Sequence, residues 1–135
     1  MIPSVAVDTD VVSFEFKQDS RSTLYDAHLT DRLLVISFTT VAELYQWAQI
    51  YKWEKSKRER LEKYLKGFVI FHSDHNLCLK WAEVKSNARK QGRPIETADA
   101  WIVATALLHN IPLVTHNNKH YKYIEGLTII SEANS

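Results

Sequence analysis

Residues 97–108 carry one charged side chain, Asp99, in a run that is otherwise apolar or small. Ala98, Trp101, Ile102, Thr105 and Leu108 recur at helical spacing, and Val103, Ala104, Ala106 and Leu107 fill most of the remaining arc. A helix this apolar has to be covered on nearly all sides, so the rest of the chain must wrap it. Thr97 is the predicted N-cap, its hydroxyl accepting from a free N–H of the first turn. Asn110-Ile111-Pro112 is the predicted stop, because Pro112 cannot continue the helical bonding. Leu113-Val114-Thr115 then reads as a short buried strand, followed by the polar run His116-Asn117-Asn118-Lys119-His120. A carboxylate at the mouth of a buried helix and a polar cluster at the end of the next strand mark a candidate site.

Short apolar runs at residues 5–7, 33–37, 68–71, 113–115 and 127–130 read as strands. Between them lie helical patterns at 11–16, 22–29, 40–51, 54–66, 74–91 and 97–108, with Gly67 expected to cap the fourth. This alternation predicts an α/β fold, with a mostly parallel sheet of four to five strands and helices on both faces. No repeat or linker interrupts it, so residues 1–135 are expected to form a single domain. The lone cysteine, Cys78, excludes an internal disulfide and fits a reducing compartment. No apolar run reaches membrane-spanning length, and residues 1–4 lack the pattern of a signal peptide. A cytoplasmic protein with no membrane partner is expected.

In a parallel sheet built from crossovers the strands share one direction and the helices run back. Asp8 follows the first strand, Glu43 lies just past the second and Asn117 follows the fourth. Asp99 opens a returning helix, and such a helix also starts at the carboxyl edge of the sheet. Four polar positions distant in sequence therefore converge on the rim where open α/β sheets bind ligands. Each acid also has an ordinary explanation: Asp8 as a helix cap, Glu43 in a capping box with Thr40, Asp99 as a complement to a helix dipole. Three acids on one edge, each beside a buried apolar run, outweigh three coincidences, since Asp and Glu are rarely buried unless paired or metal-bound.

Carboxylates without cysteine suit a hard, oxygen-seeking ion, Mg²⁺ or Mn²⁺. Such an ion lowers the pKa of water and offsets charge on a phosphoryl group under attack. The charge pattern agrees with a phosphate-bearing substrate. Net charge is only +1, yet residues 51–93 hold twelve Lys/Arg against five Asp/Glu, a net +7, and the rest a net −6. Arg58, Lys63, Arg89 and Arg93 are the predicted contacts to substrate phosphates. A pair of solvated basic helices is the ordinary reading of the same run.

The ordered pieces Val7-Asp8-Thr9-Asp10-Val11-Val12, Thr39-Thr40-Val41-Ala42-Glu43-Leu44 and Thr97-Ala98-Asp99-Ala100-Trp101-Ile102 resemble the PIN-domain nucleases, and within them the VapC-type toxins of toxin–antitoxin pairs. Leu113-Val114-Thr115-His116-Asn117 with His120-Tyr121 matches the family's last motif more loosely. The resemblance spans the chain. It implies a metal-dependent endoribonuclease in which Asp8, Glu43 and Asp99 are the metal-binding acids. It also implies a homodimer silenced by a small cognate antitoxin. Part of the aromatic set Tyr45, Trp47, Tyr51 and Trp53 is available for a partner surface.

One departure from the family pattern is that Asn117 and His120 stand where many members place a fourth acid. Asn117 can ligate through its carbonyl oxygen or orient water, but it brings no charge. Glu96, near Asp99, is a candidate replacement; Thr115 and Thr9 are further candidates beside the acids. His116 and His120 have a spacing compatible with a transition metal if their segment is helical, and two loop histidines otherwise. Two rival functions remain open on sequence grounds. One is a PIN-fold binding module without activity. The other is a phosphatase of the haloacid dehalogenase type, with Asp8 as nucleophile and Asp10 as general acid.

Overall fold

The computed structural model describes residues 2–134. Five strands form one all-parallel sheet: β1 (Ser4–Val7), β2 (Leu33–Ser37), β3 (Val69–Phe71), β4 (Leu113–Val114) and β5 (Ile129–Ile130), in the order β3-β2-β1-β4-β5. Seven helices connect them among the described residues: α1 (Thr9–Lys17), α2 (Asp26–Leu29), α3 (Phe38–Ile50), α4 (Lys55–Leu65), α5 (His75–Lys90), α6 (Thr97–His109) and α7 (Asn118–Tyr121). The strand order reverses at β1, which pairs with β2 on one side and β4 on the other. At such a switch point the connections leave to opposite faces and open a crevice at the strands' carboxyl ends.

Side-chain alternation along β1 builds two cores. Val5 and Val7 face one layer with Val11, Phe14 and Phe16 of α1, Leu44 of α3, and Leu61 and Leu65 of α4. Ala6 faces the other layer with Val84 and Ala88 of α5 and Ala100, Ile102, Val103 and Ala106 of α6. Small residues on α6 let it lie close to the sheet, and Ala100, Val103, Ala104 and Ala106 have no exposed surface at all. The covered helix expected from residues 97–108 is therefore present. Of the four aromatic residues 45–53, Trp47 and Trp53 pack on the core, whereas Tyr45 and Tyr51 are exposed.

Several boundaries differ from the sequence-based expectation. Thr97 is the first helical residue rather than the cap; Glu96 is the extended residue before it and makes no side-chain cap bond. What turns the chain out of α6 is Asn110, in the left-handed conformation at φ 54°, with Pro112 two residues later. The helix expected at 22–29 divides into a 3₁₀ turn (Ser20–Leu24), started by Asp19 accepting from Arg21 N–H, and α2. Gly67 does not take a left-handed cap conformation; α4 ends at Leu65 with Lys66 as its cap. α3 begins at Phe38, because the Ser37 hydroxyl accepts from Thr39 N–H. Thr40 and Glu43 are consequently inside the helix and form no capping box.

Glu15 of α1 has one carboxylate oxygen buried without a hydrogen-bond partner. Burial, and then the charge of Asp26, push its pKa up to about 7. The folded chain thus holds this proton to a higher pH than the unfolded chain does. Its effect is a loss of stability that grows as pH rises from the usual carboxylate range to about 7 and is constant above. Glu15→Gln is expected to melt a few degrees above the native chain at pH 8 and at nearly the same temperature at pH 4.5. An equal shift at both pH values would contradict that assignment.

Candidate active site

Asp8 leaves the end of β1 into the crevice and caps α1. One of its oxygens accepts from Thr9 N–H at 2.7 Å and the other from the Thr115 hydroxyl at 2.7 Å. Thr115 follows β4, so this bond ties the two strands of the switch point together across 107 residues. Asp8 is 4% exposed. Burial above all, then the charge of Asp10, push its pKa up to about 7, and Asp99 adds to the effect.

Glu43, half-buried on α3, accepts from the Thr9 hydroxyl at 2.9 Å. That hydroxyl has given its single proton, so the 2.9 Å contact with Thr40 must be Thr40 donating to Thr9. The chain Thr40 to Thr9 to Glu43 fixes the carboxylate of the second acid from a neighbouring helix. Its pKa is raised by burial and by Asp99, against the opposing Thr9 bond. Asp99, in the first turn of α6, accepts from the Tyr121 hydroxyl at 3.1 Å, and His120 Nδ1 stands 3.6 Å from its other oxygen. Burial and the charges of Asp8 and Asp99 hold the Tyr121 phenol far above its ordinary pKa, so it remains a donor.

Two members of this cluster were not marked as site residues by sequence. Asp10 lies on the same edge; its oxygens accept from Val11 N–H at 2.7 Å and His116 N–H at 3.1 Å. Its pKa is raised by burial, with Asp99 contributing; the sequence reading quoted it within the first motif and gave it a role only in the phosphatase rival. Tyr121 was quoted within a motif without a role. The signal available for Asp10 was its position two residues after Asp8, at the same strand end. No comparable pattern marks Tyr121.

The structure therefore gathers Asp8, Thr9, Glu43, Asp99 and Thr115, with His120 against Asp99. Asn117 is exposed, and its backbone N–H donates to the Thr115 hydroxyl. Glu96 is exposed and lines a cavity beside Asp99. His116 and His120 make no pair: His116 Nδ1 is 2.6 Å from the hydroxyl of buried Tyr25, whereas His120 lies on α7 beside Asp99. Among the basic candidates, Arg93 lines the Asp99 cavity, while Arg58 lines a separate groove between α3 and α4. Lys63 and Arg89 occupy the last turns of α4 and α5.

Among the described residues, no lysine or arginine forms a salt bridge with Asp8, Asp10, Glu43 or Asp99. Hydroxyl and backbone donors orient these acids without neutralising them; after burial, Asp10 and Asp99 raise the pKa of Asp8, and Asp99 raises those of Asp10 and Glu43. Mutually repelling carboxylates, buried or half-buried and met by hydroxyl and backbone N–H donors, fit a hard divalent cation. Among the described residues, no three His, Cys, Asp or Glu side chains stand close enough together to hold a metal ion by themselves. Mg²⁺ does not require one, since it keeps several waters and binds through one or two carboxylates.

Known proteins share the sequence pattern and the fold over most of the chain. The family model of the PIN domain matches residues 5–126. The chain is 36% identical over 95 residues to ribonuclease VapC1 of Haemophilus influenzae strain R2866, covering 70% of each protein. It is 27% identical over 126 residues to the tRNA(fMet)-specific endonuclease VapC of Shigella flexneri, covering 90% of this chain and 92% of that protein. The solved structure of VapBC-1 from nontypeable Haemophilus influenzae superposes with a TM-score of 0.77 at 26% identity, covering 94% of this chain and 96% of that one.

Proposed function

The chain belongs to the PIN-domain family, in its VapC ribonuclease branch, and from that premise we propose that it is the toxin of a toxin–antitoxin pair, a divalent-metal-dependent endoribonuclease. The observation that carries this reading is the unneutralised carboxylate cluster at the β1/β4 switch point. Asp8, Asp99 and Glu43 are the groups that would hold Mg²⁺ or Mn²⁺, which when bound activates water for attack and offsets charge on the phosphoryl group. Thr115 and Thr9 N–H orient Asp8, the Thr9 hydroxyl orients Glu43, and Tyr121 orients Asp99. Asn117 and His120 stand at the rim, where they can meet the substrate backbone. We assign the whole of residues 1–135 to this one functional unit.

The missing acid of the last motif favoured an inactive binding module. Asp10 weakens that alternative, because it brings a fourth carboxylate to the same rim from the other end of the sequence. The phosphatase reading has no support in the PIN-domain match. Among the described residues no helix is long and apolar enough to cross a membrane. A cognate antitoxin, as in the VapBC assemblies, and a second copy of the chain are the protein partners of this reading, and the cytoplasm its compartment.

Purified protein given total bacterial RNA and Mg²⁺ is expected to release discrete fragments. RNA affinity should fall steeply with salt, as each phosphate contact releases counterions. A folded preparation that yields no fragments, or binds RNA with a flat salt response, would contradict the proposal.

A further inference from the structure

A cavity of about 320 Å³ opens beside Asp99, between the end of α5, the connection to α6 and the segment around α7. Its floor is apolar, from Ala88, Ile95 and Ile124, and its rim is polar, with Lys119, His120 and Glu96. One wall is Tyr123 with two cations over its ring: Arg93 Cζ lies 3.3 Å and Lys122 Nζ 5.1 Å from the centroid. Tyr123 remains 43% exposed, so the side chain is within reach of a ligand. The size falls in the range of about 300–1,000 Å³ that holds small ligands. Arg93 and Tyr123 are exposed, and neither belongs to the two cores.

We propose that this cavity is a nucleotide subsite, taking one unpaired base of the RNA next to the phosphate that is cut. The inference rests on the ribonuclease reading and specifies how that site engages its substrate. Asp99 is shared by the cavity and the carboxylate cluster, so a base seated here places its neighbouring phosphate at the acids. Unpaired bases are held by stacking on aromatic rings and arginine planes, which is the surface that Arg93 and Tyr123 provide. Lys119 supplies positive charge at the mouth for the connecting phosphate, and the Glu96 carboxylate can accept N–H donors of the base edge. A paired base in an A-form duplex is stacked between its neighbours and not free to stack on Tyr123, so the subsite selects single-stranded loops and ends.

The test uses the full chain, a short fluorescein-labelled single-stranded RNA, and chelator so that binding is read without cleavage. Tyr123→Leu removes the stacking partner without changing charge. It should weaken binding roughly 5- to 150-fold, the range of one base–aromatic stack, and leave the salt slope unchanged. Tyr123→Phe should retain binding, and the same RNA made double-stranded should show no difference between the variants. With Mg²⁺ present, Tyr123→Leu should raise KM while kcat stays within a few-fold. Unchanged binding by a folded Tyr123→Leu chain overturns the subsite, and it does so whether or not the native chain cleaves. Tyr123-dependent binding by a native chain that never cleaves would uphold the subsite and overturn the ribonuclease reading instead.

Discussion

Asp99→Asn is expected to lower the rate of RNA cleavage by about a thousandfold or more, the order of several kcal/mol of lost charge stabilisation at the reacting phosphoryl group. The melting temperature should change little. Asp99 is only partly buried in the first turn of α6, and the helix is held by Ala100, Ile102, Val103 and Ala106 rather than by this carboxylate. Asparagine keeps an oxygen that can accept from the Tyr121 hydroxyl, so the local geometry survives. A rate for Asp99→Asn within a few-fold of native would remove Asp99 from the site. A loss of rate with a large drop in melting temperature would point to a structural role instead.

Asp8→Asn should separate function from stability in the opposite sense. Asp8 is buried next to Asp10 and Asp99, and its pKa of about 7 means that the folded chain resists ionising it. The sign follows from linkage. The unfolded chain ionises near the usual carboxylate value, the folded chain only near 7, so stability falls as pH rises through that window and stays low above it. At pH 8 in chelator the ionised group costs on the order of a few kcal/mol. Asparagine removes that cost while its oxygen accepts from Thr9 N–H and its amide donates to Thr115. The variant is therefore expected to melt roughly 5–10 °C above the native chain at pH 8, and nearly with it at pH 4. Mn²⁺ should raise the melting temperature of the native chain at pH 8 and leave the variant unmoved, since a ligand stabilises only the state that binds it. Cleavage should be lost. A variant less stable than native at pH 8 would mean that Asp8 is held by its hydrogen bonds more strongly than it is opposed by burial and repulsion.

Much of this site was legible before any coordinates. Asp8 and Glu43 follow readable apolar strands and Asp99 opens a readable apolar helix, and parallel topology alone sends all three to one edge. The covered α6 and the strand alternation were legible for the same reason: burial leaves a periodic mark on sequence. Contacts between distant residues leave none. Asp10 reads locally as a first-turn acid; what draws it into the site is the N–H of His116, 106 residues later. Tyr121 matters through a hydroxyl whose direction depends on how α7 docks against α6. Thr40 was misassigned because α3 starts at Phe38, a shift of two residues that turns a predicted cap into a donor to Thr9. The Arg93–Tyr123 stack joins residues thirty positions apart and was invisible in the same way.

The central claim is that the carboxylates at the β1/β4 crevice act through a divalent cation. The most direct measurement is the cleavage rate of a single RNA by the purified chain as Mg²⁺ or Mn²⁺ is titrated in after chelation. The expected result is no cleavage in chelator, a saturable return with either ion, and no return in Asp99→Asn at any concentration. Cleavage that persists undiminished in chelator, or a metal response that is the same in Asp99→Asn as in the native chain, would contradict it.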